Sequence, residues 1–239
     1  MKAHYQRQIM ISQIGEAGQA RLQASRVTVI GAGGLGSPVL TYLAGAGVGK
    51  LTLIDGDTLS ESNLNRQFLY PADALGSPKS ELAKARIETF NPSVQVTCHQ
   101  AFLEEDNQAA LMGSPDVIVD CVDNIPTRHL VARYGRKQGI PVVEGGVMGF
   151  WGWLFCSMPE GACFGCLGSQ LPAPQKTPAL GAVAGIIGSL QATECLKLLL
   201  GMGTAYPGTL LQYDGLHGDF DTIPVAQNPN CPCCASNPQ

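Results

Sequence analysis

Two hydrophobic periodicities alternate along the first 146 residues. Short apolar runs rich in β-branched residues are separated by longer segments with apolar residues at helical spacing, such as SPKSELAKARIETF (77–90). The runs predict five strands, at residues 26–30, 50–55, 93–99, 116–121 and 140–146. A strand–helix alternation with apolar strands indicates an α/β fold, in which helices cover both faces of a parallel sheet.

The pattern changes after Gly146. VMGFWGWLFCSM (147–158) is a longer strand-like run, residues 168–181 are rich in proline and polar residues and predict a crossover loop, and a helix is expected over about 182–200. Residues 209–225 predict a hairpin. We therefore expect one domain over 1–239, comprising a helical arm (1–25, with helical spacing over 5–24), a nucleotide-binding α/β half (26–146) and a second half (147–239).

Composition and charge exclude several classes of protein. The chain is 45% hydrophobic and 14% charged, which is typical of a globular protein. A net charge of −4 without a basic run argues against a nucleic-acid partner. The N-terminal residues have no signal-peptide pattern, and the apolar segment 181–201 is interrupted by Gln191, Glu194 and Lys197, which argues against a membrane span. We expect a cytoplasmic protein.

A glycine-rich turn follows the first predicted strand. Gly31, Gly33 and Gly36 form G-x-G-x-x-G between a strand and a helix, where backbone N–H groups and the helix dipole bind phosphate. Asp55 ends the next strand, where a carboxylate accepts hydrogen bonds from a ribose. The alternative is a turn kept only for packing. The motif predicts a nucleotide but does not distinguish NAD from ATP.

The polar residues beyond the second strand favour ATP. Arg66 and Lys79 would clamp a triphosphate and offset the charge that builds on a leaving pyrophosphate. Asp120 and Asp123 end the fourth strand, and a carboxylate near phosphates suits Mg²⁺. The segment after the second strand, residues 55–80, also supplies Asp57, Asn63, Asn65 and Gln67.

Each of these residues also has a structural interpretation. Lys79 could be a solvated residue in the first turn of a helix. Asp123 could cap the next helix, and Arg66 could pair with Glu61. Their joint placement along one edge of the sheet favours the functional interpretation.

Two C-x-x-C pairs indicate a metal site. CFGC supplies Cys163 and Cys166, and CPCC supplies Cys231 and Cys234, which together give the four thiolates of a closed tetrahedral Zn²⁺ site. Such a site would attach the tail to the domain and leaves no open position for catalysis. The alternatives are redox-active or unligated thiols, and Cys233 could replace Cys234 as a ligand.

These motifs together resemble the ThiF/MoeB/HesA family of adenylyltransferases related to ubiquitin-activating enzymes. The resemblance runs nearly from end to end and is carried by YQRQI, GAGGLGSP, LIDGDTLSESNLNRQ, SPKS, DCVDN, GIIGSLQATECLKLL and both cysteine pairs. It implies a Rossmann-like, mostly parallel sheet continued by antiparallel strands, with a zinc-stapled C-terminal region. It also implies a homodimer.

The resemblance implies an activity as well. Family members bind ATP and Mg²⁺ and adenylate the C-terminal glycine of a small ubiquitin-like sulfur carrier that ends in Gly-Gly. In this sequence it assigns catalysis to Arg66, Lys79, Asp123 and, from the partner subunit of the dimer, Arg7. It assigns nucleotide binding to Gly31, Gly33, Gly34, Gly36, Asp55, Asp57, Asn63, Arg66, Gln67, Lys79, Asp123 and Asn124, with Mg²⁺ on Asp123, Zn²⁺ on Cys163, Cys166, Cys231 and Cys234, and carrier binding in 147–239.

The sequence departs from the family pattern in its crossover loop. Some members carry a cysteine there that links covalently to the carrier, and residues 168–181 contain none. We therefore expect sulfur to reach the acyl-adenylate directly from a sulfurtransferase or cysteine desulfurase, and no rhodanese-like domain in the chain. His4 stands where the arm often has arginine. The thiamin, molybdopterin and specialised pathways all stay open, as do an NAD(P)-dependent oxidoreductase and a non-catalytic binder of a ubiquitin-like protein.

Overall fold

The computed structural model describes residues 3–168 and 178–234. Its helices are α1 (Gln6–Ile9), α2 (Gly15–Ala24), α3 (Gly36–Ala46), α4 (Lys79–Phe90), α5 (Gln108–Leu111), α6 (Ile125–Gln138) and α7 (Gly181–Leu199). Its strands are β1 (Arg26–Ile30), β2 (Lys50–Ile54), β3 (Gln95–His99), β4 (Val117–Asp120), β5 (Val142–Met148), β6 (Trp151–Ser157), β7 (Thr209–Asp214) and β8 (Asp219–Pro224).

All eight strands form one sheet in the order β3-β2-β1-β4-β5-β6-β7-β8. Strands β1 to β5 pair in parallel, and β6, β7 and β8 continue the sheet as antiparallel strands. The predicted α/β class and the antiparallel continuation are therefore confirmed. Strand β5 runs across the boundary at 146–147, so the two predicted halves share one sheet.

The two faces of the sheet bury different sets of side chains. On β4, Val117 and Val119 join the core beneath α3 and α7, whereas Ile118 packs on the other face with Leu130 and Val131 of α6. This two-residue alternation on a strand that is buried throughout is the consequence of helices on both faces.

Helix α7 is long and apolar enough to cross a bilayer by length and composition alone. Half of that apolar window is buried inside the domain, and α7 packs against α3 and against β4, β5 and β6. The buried half of this apolar window thus belongs to the core of the domain.

The predicted N-terminal arm is two helices rather than one. Helix α1 ends at Ile9 and α2 begins at Gly15, a glycine with φ of +57°. The buried Tyr5 ties the arm to the domain, because its hydroxyl lies 2.8 Å from Nδ2 of Asn91. The helix predicted from residue 77 begins at Lys79. Most of the predicted crossover loop, residues 169–177, lies outside the described residues.

Candidate functional site

A cavity of about 790 Å³ opens where β1, β2 and β4 end. Ligands bind at this edge in open sheets of parallel strands. Eleven of the residues predicted to bind nucleotide line the cavity: Gly31, Gly33, Gly34, Asp55, Asp57, Asn63, Arg66, Gln67, Lys79, Asp123 and Asn124. Gly36 and Arg7 are not among its lining residues.

The glycine turn is shaped by two close backbone approaches. Gly31 has φ of +90°, which is accessible to glycine, and a Cβ there would lie 2.9 Å from the carbonyl oxygen of Cys121. A Cβ on Gly36 would lie 2.1 Å from the carbonyl oxygen of Gly31. Gly36 therefore lets α3 begin directly against the turn.

Asp55 fixes the turn from the end of β2. Its Oδ2 accepts a hydrogen bond of 2.6 Å from the N–H of Ala32, and its Oδ1 accepts one of 2.8 Å from the N–H of Asp57. Burial raises the pKa of Asp55, and these two backbone hydrogen bonds oppose that rise. The Tyr70 hydroxyl donates to the carbonyl of Ala32 at 2.6 Å and holds the same turn from the opposite side.

The two predicted phosphate-binding cations approach the cavity from different elements. Lys79 is the first residue of α4 and is 4% exposed, with its Nζ 2.9 Å from Oδ2 of Asp57. The alternative of a solvated Lys79 is therefore wrong. Arg66 donates from Nη1 to the carbonyl of Ser62 at 2.8 Å and to Oδ1 of Asn65 at 2.9 Å, instead of pairing with Glu61.

The amide residues beside these cations differ in their freedom to bind a ligand. Asn63 caps its own turn, since its Oδ1 accepts from the N–H of Ser60 at 3.0 Å. Gln67 is buried, and its Oε1 has no hydrogen-bond partner among the described residues. A buried acceptor without a partner is costly, so Gln67 is suited to accept a hydrogen bond from a ligand.

Asp120 and Asp123 lie in different environments at the end of β4. Asp120 is fully buried beside Arg128, whereas Asp123 is exposed at the cavity. Asn124, not Asp123, caps α6, because its Oδ1 accepts from the N–H of Thr127 at 2.9 Å. Within the described residues Asp123 forms no ion pair, so its carboxylate fits the predicted Mg²⁺ ligand and Asp120 does not.

Arg128 also lines the cavity, and sequence reasoning missed it. It lies five residues after Asp123 in the first turn of α6, where the helix dipole disfavours a cation. That unfavourable placement, four residues after the end of DCVDN (120–124), is the signal in the sequence that could have identified it.

The two cysteine pairs converge on one point. The Sγ atoms of Cys163, Cys166, Cys231 and Cys234 all lie within 4.8 Å of one another. Thiolates bound tetrahedrally to Zn²⁺ at about 2.3 Å lie about 3.8 Å apart. The distance is 3.6 Å between the sulfurs of Cys163 and Cys231 and 3.4 Å between those of Cys166 and Cys234. The four residues therefore fit a structural zinc ion, which would supply a cross-link rather than catalysis.

The surroundings of the cluster distinguish Cys234 from Cys233. The Sγ of Cys233 lies 3.0 Å from Nδ1 of His129, outside the set of four. Backbone N–H groups of Asn228 and Cys233 each lie 3.4 Å from a cluster sulfur, on Cys166 and Cys231 respectively. Such N–H groups stabilise thiolate ligands, and in this arrangement Cys234 rather than Cys233 belongs to the set of four sulfurs.

Curated relatives match nearly the whole chain. The SAMP-activating enzyme E1 of Haloferax volcanii is 42% identical over 96% of this chain and 87% of its own length. The sulfur carrier protein adenylyltransferase of Thermus thermophilus is 38% identical over 98% and 91%. Adenylyltransferase and sulfurtransferase MOCS3 of Mus musculus is also 38% identical, and this chain spans 53% of its length.

Solved structures share the fold. A crystal structure of E. coli MccB with MccA-N7isoASN has a TM-score of 0.82 at 20% identity, over 91% of this chain and 69% of that one. Crystalline SeMet PaaA has a TM-score of 0.77 at 24% identity. The sequence model of the ThiF family matches residues 5–233, a range that includes the cavity and three of the four clustered cysteines. The chain belongs to the ThiF family.

Proposed function

We propose that this protein is an ATP-dependent adenylyltransferase that activates the C-terminal glycine of a small ubiquitin-like sulfur carrier ending in Gly-Gly. One observation carries the proposal: a single cavity is lined by the glycine turn, the cations Arg66 and Lys79, and the carboxylate of Asp123, which forms no ion pair within residues 3–168 and 178–234. The names of the Haloferax and Thermus relatives support both the reaction and the class of substrate.

The residues of the cavity suit an in-line displacement on the α-phosphorus of ATP. The carrier carboxylate attacks, pyrophosphate leaves, and the carrier becomes an acyl-adenylate. Arg66 and Lys79 stabilise the charge on the phosphates, while Gly31, Gly33 and Asp55 hold the nucleotide. Bound Mg²⁺ would be held by Asp123 and would neutralise phosphate charge. No protein nucleophile is needed, because the attacking carboxylate is already ionised.

The second half of the chain, 147–239, receives the carrier. The cavity extends from the nucleotide residues to Met148, Trp151 and Ala179, which lie beyond the glycine turn. An extended Gly-Gly tail from the carrier would reach the nucleotide through this part of the cavity. The sulfur donor is a sulfurtransferase or a cysteine desulfurase in the cytoplasm, and the pathway is thiamin or molybdopterin synthesis or a related route.

The working protein is a homodimer. Arg7 is exposed on α1 and is not among the lining residues of its own chain's cavity, as expected of a residue that completes the partner's site. A second cavity of about 710 Å³, lined by residues of α3, α4 and α7 and by exposed Phe68, shares Gly34 and Arg66 with the nucleotide cavity. A partner subunit on this face would lie beside the phosphates.

Exchange of labelled pyrophosphate into ATP tests the proposal. With a sulfur carrier present, we expect exchange that falls about 10²-fold or more in Arg66→Ala, because that variant loses a positioned cation at the phosphates. A carrier without its last glycine is the control and supports no exchange. NADH binding without ATP binding would instead favour an oxidoreductase, and ATP binding without exchange would favour a non-catalytic binder.

A further inference from the structure

Arg128 carries a buried positive charge, and an apolar side chain could fill the same space. Only 4% of its surface is exposed, although it lies in the first turn of α6. Burying a guanidinium there is unfavourable unless acceptors surround it, and the helix dipole adds to the cost. Its acceptors therefore indicate what the residue does.

Two of its acceptors are Asp120 and the backbone carbonyl of Val122, the residue directly before Asp123. Oδ1 of Asp120 accepts from the N–H of Val122 at 3.0 Å, and Oδ2 of Asp120 lies 3.4 Å from Nη1 of Arg128. Nη2 of Arg128 donates to the carbonyl of Val122. Both polar groups of Val122 are thus held, one by Asp120 and the other by Arg128, and Asp123 is the next residue.

The guanidinium is itself held in one orientation. Nη2 also donates to the carbonyl of Gly145 on β5 at 2.7 Å. The guanidinium carbon lies 4.9 Å from the ring centre of Trp153 and 5.7 Å from that of Phe164, and the two rings stack 6.0 Å apart. A planar guanidinium can donate several hydrogen bonds at its edge while its face packs on an aromatic ring. Lysine cannot do both, because its ammonium is a single point charge.

We propose that Arg128 is a positioning residue that fixes the Val122–Asp123 peptide so that the Asp123 carboxylate meets the Mg²⁺ of bound ATP. The inference rests on the proposed function, which gives Asp123 the metal. It assigns Arg128 no contact with the reacting atoms. Its effect must therefore pass through Asp123 and through Mg²⁺.

Calorimetric titration of ATP, with Mg²⁺ and with EDTA, tests this path. In Arg128→Lys we expect the affinity for ATP in Mg²⁺ to fall about tenfold, the usual cost of losing support behind a metal ligand, while affinity in EDTA changes less than about twofold. Arg136→Lys is the matched control on the same helix, because Arg136 donates to the carbonyls of Pro159 and Gly161, neither of which lines the cavity. An equal loss in EDTA and in Mg²⁺ would overturn the inference.

A cycle with Asp123→Asn separates this inference from the proposed function. If Arg128 acts through Asp123, Arg128→Lys adds little to the loss in the Asp123→Asn variant, whereas two independent losses multiply. Should Arg128→Lys fail to fold, Trp153→Leu removes the stacking face and shifts the Mg²⁺-dependent affinity in the same direction. If the affinity losses of the two single variants multiply in the double variant, the inference about Arg128 is overturned and the proposed function is not. An Asp123→Asn variant with unchanged Mg²⁺ dependence overturns both it and the metal assignment.

Discussion

The cysteine cluster and the nucleotide cavity are assembled in opposite ways. The cluster takes four identical ligands from two short motifs, and their sulfurs converge within 4.8 Å. The cavity takes different side chains from the ends of β1, β2 and β4 and from the start of α4. Because a metal centre needs all its ligands at once, we expect loss of one cysteine to affect folding and loss of one cavity residue to affect binding or rate.

Removal of one of the four clustered cysteines, which we propose to bind zinc, has the largest expected effect. Structural zinc contributes on the order of 10 kcal/mol in zinc-finger peptides. For Cys166→Ser we expect loss of bound zinc and a fall of at least about 5 kcal/mol in the free energy of unfolding, measured by metal analysis and urea denaturation. Cys233→Ser is the control and retains zinc. Equal zinc content in the two variants would contradict the assignment of the four ligands.

Gly36→Ala tests the backbone of the cavity. The new Cβ would lie 2.1 Å from the carbonyl oxygen of Gly31, and backbone on both sides leaves little room to adjust. We expect a loss of about 3 kcal/mol in the free energy of unfolding, together with weaker ATP binding. Gly45→Ala on the same helix is the control, because its Cβ meets only a ring carbon of Phe90 at 4.0 Å. A Gly36→Ala variant as stable as the control would refute the tight approach.

Lys79→Met tests a cavity side chain without opening a void. The variant keeps most of the buried volume but loses the charge that lies 2.9 Å from Asp57. We expect pyrophosphate exchange to fall about 10²-fold while the chain stays folded. Lys84→Met lies on the same helix and leaves exchange unchanged. If the two variants lost exchange equally, the cavity would not depend on Lys79 as a cation.

Substitution of Glu144 has the smallest expected effect. Glu144 lies on β5, and burial raises its pKa well above the ordinary 4.5, with the Ser157 hydroxyl, Asp120 and Arg128 around it. The folded state therefore keeps a proton that the unfolded state loses above pH 4.5, so this residue's stability contribution is present below that pH and is lost as pH rises through the folded pKa.

In the unaltered protein we expect the free energy of unfolding to fall between about pH 5 and about pH 8 as Glu144 loses its proton. In Glu144→Gln we expect this fall to be smaller by about 1 kcal/mol. Urea denaturation at the two pH values measures the difference. The exposed Glu160 provides the control, Glu160→Gln, which keeps the original dependence on pH. An equal fall in the two proteins would mean that the carboxylate is already ionised in the folded protein at about pH 5.

Much of the fold was predictable because strand periodicity and the glycine turn are local signals. All five predicted parallel strands are present, and the main errors are at ends, such as β5, which continues to Met148. The break between α1 and α2 was harder to place, since the apolar spacing of the arm continues through it. At the break, Gly15 has a left-handed backbone conformation. The arm before it is held against the domain by the hydrogen bond between Tyr5 and Asn91.

Sequence alone determined which residue types meet at the two sites. Parallel strands end at one edge of the sheet, so the residues after β1, β2 and β4 had to meet there, and the C-x-x-C spacing specified a pair of ligands at each motif. Only the tertiary structure decided between neighbours: Asp123 rather than Asp120 at the cavity, and Cys234 rather than Cys233 in the cluster. Those choices depend on burial and on partners such as Arg128 and His129, and the latter is 104 residues from the cysteine it contacts.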